Sequence, residues 1–99
     1  MSYYDVNYVD INGRSQSTLS VSGTAAQTGV LTPGVYDVWC DESDVYIKVA
    51  GTANDVTTSN GYVIKTGNVV AVKIGAPTDM KLGAITGGTS GTLRYHRVG

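Results

Sequence analysis

Apolar and polar residues alternate with a period of two along most of the chain. Leu19, Val21 and Gly23 alternate with Thr18, Ser20 and Ser22, and Tyr36, Val38 and Cys40 with Val35, Asp37 and Trp39. The same relation sets Val45, Ile47 and Val49 against Tyr46 and Lys48, Tyr62 and Ile64 against Val63 and Lys65, and Val70, Val72 and Ile74 against Val69, Ala71 and Lys73. It closes with Met80, Leu82 and Ala84 against Lys81, Gly83 and Ile85, then Leu93 and Tyr95 against Arg94 and His96. Successive side chains of a strand point to opposite faces, so each run predicts a half-buried strand. Turn signals separate the runs: Asn12-Gly13, Pro33-Gly34, residues 41–44, Asn60-Gly61, Gly67-Asn68, and residues 76–79 and 87–91. Their spacing, about 8–12 residues, is the rhythm of an antiparallel sandwich or barrel. A short strand near 27–31 and an N-terminal one over 3–11 bring the expected total to eight or nine. No helix is needed, although one turn fits residues 76–80.

Composition agrees with this pattern. The 99 residues suit one domain. Fourteen Val, twelve Thr and thirteen Gly stand against one Glu and four each of Leu and Lys. Strand formers are abundant and helix formers scarce, which excludes a helical bundle, a coiled coil and a doubly wound α/β domain. No apolar run approaches the roughly 18 residues that span a membrane, and the start, Met1-Ser2-Tyr3-Tyr4-Asp5, has neither the charge nor the apolar stretch of a signal peptide. A net charge of −1 argues against non-specific nucleic-acid binding. Lone Cys40 excludes an intramolecular disulfide framework and fits synthesis in a reducing cytosol.

Residues 1–16 differ from the rest. Tyr3, Tyr4 and Tyr8 crowd together with Asp5 and Asp10, and no Lys precedes position 48. This segment reads as an edge strand of the domain or as an extended arm that pairs with a neighbour, leaving 17–99 as the sandwich. All eight aromatic residues are Tyr or Trp, rings whose polar atoms suit half-wet surfaces.

Candidate chemistry is sparse. The only His, His96, lies between Arg94 and Arg97 and has no carboxylate nearby in sequence to orient it as a base. It reads as a surface or interface residue, and Cys40, in phase with Tyr36 and Val38, as a core residue. Two Cys and His residues in all cannot build a zinc site. The acidic turn Asp41-Glu42-Ser43-Asp44 offers oxygen ligands of the kind calcium takes, but its spacing is not that of an EF-hand, and a solvated turn accounts for it. Gly87-Gly88-Thr89-Ser90-Gly91 lacks the Lys and the following helix of a phosphate-binding loop. Arg94-Tyr95-His96-Arg97 reads as a charged edge that resists aggregation. No catalytic, cofactor-binding or metal residue is assigned, and the expectation is a non-enzymatic protein acting through its surface. Trp39 and Tyr46 are out of phase with their apolar neighbours: with the inward faces as assigned they project outward on neighbouring strands joined by the 41–44 turn, and with the phase reversed Trp39 fills the core. The candidate interface residues are therefore Tyr3, Tyr4, Tyr8, Trp39, Tyr46, Arg94 and Arg97.

Several strings occur in a telling order: Thr18-Leu19-Ser20-Val21-Ser22-Gly23, Leu31-Thr32-Pro33-Gly34-Val35-Tyr36-Asp37-Val38, Asp44-Val45-Tyr46-Ile47-Lys48-Val49, Gly61-Tyr62-Val63-Ile64-Lys65-Thr66-Gly67, Ala84-Ile85-Thr86 and Gly91-Thr92-Leu93-Arg94-Tyr95. Over roughly residues 18–98 this order resembles the capsid decoration (cement) proteins and related head proteins of tailed bacteriophages. The resemblance implies an all-β fold, a single antiparallel β-sandwich of jelly-roll-like or immunoglobulin-like type. It also implies a homo-oligomer in the virion, made in the bacterial host cytoplasm, that binds the major capsid protein without cofactor, nucleic acid or membrane. A carbohydrate- or receptor-binding module of a tail fibre or adhesin, with Trp39 and Tyr46 as platforms, is the alternative.

Overall fold

The computed structural model describes residues 16–75 and 79–99. Eight strands follow one another: β1 (Ser17–Val21), β2 (Ala26–Gln27), β3 (Gly34–Asp41), β4 (Val45–Ala50), β5 (Tyr62–Ile64), β6 (Val69–Ile74), β7 (Lys81–Thr86) and β8 (Gly91–Arg97). They form two four-stranded antiparallel sheets, ordered β1-β8-β3-β6 and β2-β7-β4-β5. Strand β1 pairs with β8, β2 with β7, β3 with β6 and β4 with β5. The chain is thus a long double-stranded ribbon, its first four strands lying against its last four, rolled so that alternate pairs fall in opposite sheets. That is the jelly-roll order, and it decides against the immunoglobulin-like alternative.

The period-two pattern places the core. Tyr36, Val38 and Cys40 of β3, Val45 and Ile47 of β4, Ile64 of β5, Ile74 of β6, Leu82 and Ala84 of β7 and Leu93 of β8 are buried between the sheets, with Val21 of β1. Leu19, Val70, Val72, Met80 and Tyr95 pack against them. Each was expected inward by phase. Tyr62 shares the inward phase of Ile64 but stands at the end of a three-residue edge strand and is exposed.

The expected strand near 27–31 is shorter, with only Ala26 and Gln27 in the ladder. Beyond them, Thr28 N and Leu31 N still donate to the Leu82 and Met80 carbonyls, at 2.9 and 2.8 Å. The expected helical turn is absent at Asp79 and Met80, and the rest of that segment lies outside the described residues. So do residues 3–11, and with them Tyr3, Tyr4 and Tyr8.

Two further features lay beyond the alternation. The 41–44 turn does not close a hairpin. It carries the chain from one sheet to the other, with Glu42 in the left-handed region (φ 77°). The long β4–β5 connection folds back over the outer face of the second sheet. There Ala53 and Val56 are fully buried on a second, smaller apolar layer. Gly83 makes room for it, since a Cβ at that position would lie 2.7 Å from the Ala53 Cβ. The connection is tied down by Ala53 N donating to Gln27 Oε1 (2.9 Å) and by the Lys48–Asp55 ion pair (2.9 Å). Its tip is a tight turn in which Thr57 N donates to Asn60 Oδ1 and Gly61 N to the Thr57 carbonyl.

Candidate protein-contact surface

The outer faces of the two sheets differ. On the second sheet, Tyr46 projects outward as its phase requires, but the 51–61 connection crosses it. A Cβ on Gly61 would sit 2.7 Å from the Tyr46 Cβ, and Tyr46 is half-buried. The described chain covers much of this face itself.

The outer face of the first sheet carries a row set by strand register. Thr18 of β1 lies opposite Arg94 of β8, Arg94 opposite Trp39 of β3, and Trp39 opposite Val69 of β6. Directly opposed side chains on one face are about 5 Å apart at Cβ, so these four form a continuous line across the sheet. Trp39 is half-buried and Val69 is exposed, as is Val35 farther along β3. Arg94 Nε donates to Asp41 Oδ2, which fixes the guanidinium beside the indole.

Trp39 and Tyr46 are consequently not one patch. The expectation of neighbouring strands fails because the 41–44 turn changes sheets, so the two rings leave opposite faces of the sandwich. The charged-edge reading of residues 94–97 fails too. Strand β8 lies between β1 and β3 and is not an edge. Arg94 points outward, whereas Arg97 is in phase with inward Leu93 and Tyr95, opposite Tyr36 at one end of the sandwich. His96, expected at the surface or at an interface, is only 7% exposed, stands opposite Asp37, and its Nε2 has no hydrogen-bond partner among the described residues.

Two carboxylates of the acidic turn, Asp41 and Asp44, are used internally. Asp44 Oδ1 accepts from Thr66 N (2.9 Å) and Thr66 Oγ1 (3.0 Å), and Oδ2 accepts from Lys65 Nζ (3.2 Å). These bonds, led by the Thr66 N–H, hold the Asp44 carboxyl below its ordinary range. Asp41 is committed to Arg94. Among the described residues no three His, Cys, Asp or Glu side chains converge as a metal site. Cys40 is buried as its phase predicts. Its Sγ donates to the Ile64 carbonyl, and burial pushes the thiol above its ordinary value.

Two hollows remain. A polar one of about 330 Å³ includes Tyr36, Tyr95, His96 and Arg97, with the Tyr36 hydroxyl donating to the Thr32 carbonyl (2.7 Å). An apolar groove of about 400 Å³ runs along the open side of the sandwich between β4 and β6.

Set against protein-family models, curated proteins and solved structures, the chain matches none. The surface must therefore be read from its own residues. Register could not have been read from the alternation, so the Thr18–Arg94–Trp39–Val69 line emerges only from the fold.

Proposed function

We propose that this chain is a non-enzymatic structural protein of a tailed-phage virion, a decoration protein that binds the major capsid protein as a homo-oligomer and stabilises the shell. The observation that carries the reading is Trp39, flanked in register by Arg94 and Val69 on a sheet face. Trp and Arg are the residues most enriched among energetic hot spots of protein interfaces. An Arg already held by Asp41 loses little side-chain freedom on docking. The jelly-roll order is shared by viral shell proteins and lectins, so the fold supports the reading without assigning it. Repetition of a modest contact around a closed shell supplies avidity that one copy lacks. Sugar binding loses its twin platform, since Trp39 and Tyr46 face opposite ways.

Co-sedimentation tests this. The purified chain is mixed with tailed-phage shells of the major capsid protein from the same genome, prepared without the decoration protein, and pelleted. Wild type is expected in the pellet. Trp39→Ala is expected to weaken binding on the order of tenfold or more while keeping its circular dichroism. Folded wild type that stays in the supernatant overturns the proposal.

A further inference from the structure

We infer that β6 is a self-pairing edge, through which two copies of this chain join their first sheets into one continuous sheet. Among the described strands the sandwich has four edges: β1, β6, β2 and β5. Three are poor templates. Strand β2 has two residues and β5 three, and β1 reads Ser-Thr-Leu-Ser-Val with a polar outer phase. Strand β6 is six residues long, Val-Val-Ala-Val-Lys-Ile, and among the described strands pairs on one side only, with β3. Such an edge presents a row of free N–H and C=O groups, and soluble proteins ordinarily guard it with charges, proline or a bulge. Here one Lys is the guard.

The surroundings point the same way. Of the large described hydrophobic side chains, the two most exposed are Tyr62 (64%) and Val69 (61%), both on this side of the sandwich. Short β5 pairs only with Val45–Ile47 of β4, so beyond Tyr62 the two sheets gape. The apolar groove opens there, between Ile47 and Val49 of one sheet and Val70 and Val72 of the other. A strand added beside β6 extends the first sheet over this opening and brings further inward-phase valines to its mouth.

The occupant that fits is a second β6. An antiparallel pair about a two-fold axis at Ala71 sets Val70 opposite Val72 and Val69 opposite Lys73. The two Lys73 charges never face each other, and each Lys stem lies along a Val that is otherwise exposed. Such a contact uses the same patch on both copies, so it closes at two. The inference rests on the homo-oligomer part of the preceding proposal and names the surface for it.

Sedimentation velocity of the full chain over a range of concentrations is the test. Wild type is expected at twice the 10.3 kDa chain mass. Val69→Lys and Tyr62→Lys, both at exposed sites, are each expected to lose the dimer while keeping the circular dichroism of wild type. Amide exchange over residues 69–74 is expected to quicken in Val69→Lys. A monomeric wild type overturns the inference, whether or not its β6 amides are protected by another segment of the same chain. So does a trimer, or a dimer that survives both substitutions. A Val69→Lys monomer that still pellets with shells separates this surface from the shell-binding one, and Trp39→Ala is expected to stay dimeric.

Discussion

Gly83 lies directly beneath Ala53. A methyl group at position 83 would sit 1.9 Å from the carbonyl oxygen of Ala53 and 2.7 Å from its carbonyl carbon and Cβ, and Ala53 is itself fully buried. The contact joins the β7 backbone to the loop that follows β4, with Ala53 only nine residues after the turn between the sheets.

Replacing Gly83 by Ala is therefore expected to lift the 51–61 connection rather than break the sandwich. Overpacking of this kind costs about 1–3 kcal/mol. Urea unfolding should show a lower midpoint by a corresponding amount. Amide exchange should quicken at Ala53 and Val56 more than at Val38 or Leu93, which lie at the centre of the main core. Uniform quickening would mean that the layer is not a separable unit.

Acid sensitivity should trace to two exposed carboxylates. Asp44 is held below its ordinary value of 3.8 chiefly by the Thr66 N–H, then by Lys65, and Asp55 chiefly by the Lys48 ammonium. A depressed folded-state value means that the folded chain prefers the charged form. The contribution is full above the ordinary value and is lost as the pH falls through it towards the depressed one. Thermal midpoints should accordingly drop on acidification below about pH 4. Asp44→Asn should lower the midpoint at neutral pH and flatten that drop. An unchanged acid profile in Asp44→Asn would remove Asp44 from the account.

Cys40 should report global unfolding. It is 1% exposed, donates to the Ile64 carbonyl, and has a thiol pushed up from 9.0 by burial. The reactive form is the thiolate, so a buried, raised thiol is inert while the sandwich is closed. Labelling by a disulfide reagent at pH 8 is expected to follow the unfolding rate and to be slowed by conditions that stabilise the fold. Rapid labelling of the native chain would show that β3 and β5 open locally.

How much of this was legible beforehand differs between levels. The inward phases of β1, β3, β4, β6 and β7 could be read directly, because alternation about the strand axis is a local property of the backbone. The core position of Cys40 followed from the same phase. Ala53 and Val56 could not be found that way. They sit in a non-periodic stretch, and their burial depends on Gly83, far along the chain, lacking a side chain.

The sequence by itself determined that this protein is all-β, roughly where most of its described strands run and which phase of β1, β3, β4, β6 and β7 is apolar. The tertiary structure alone decided which strands are neighbours. Strand β1 pairs with β8 from the opposite end of the described chain, and such distant pairing leaves no periodic mark. That pairing put Trp39 and Tyr46 on opposite faces, set Arg94 beside Trp39, moved β8 from an edge to the interior of its sheet and left β6 as the long apolar edge. A period of two fixes to which side of its own strand a residue points. Only the closure of the rolled ribbon fixes what stands next to it.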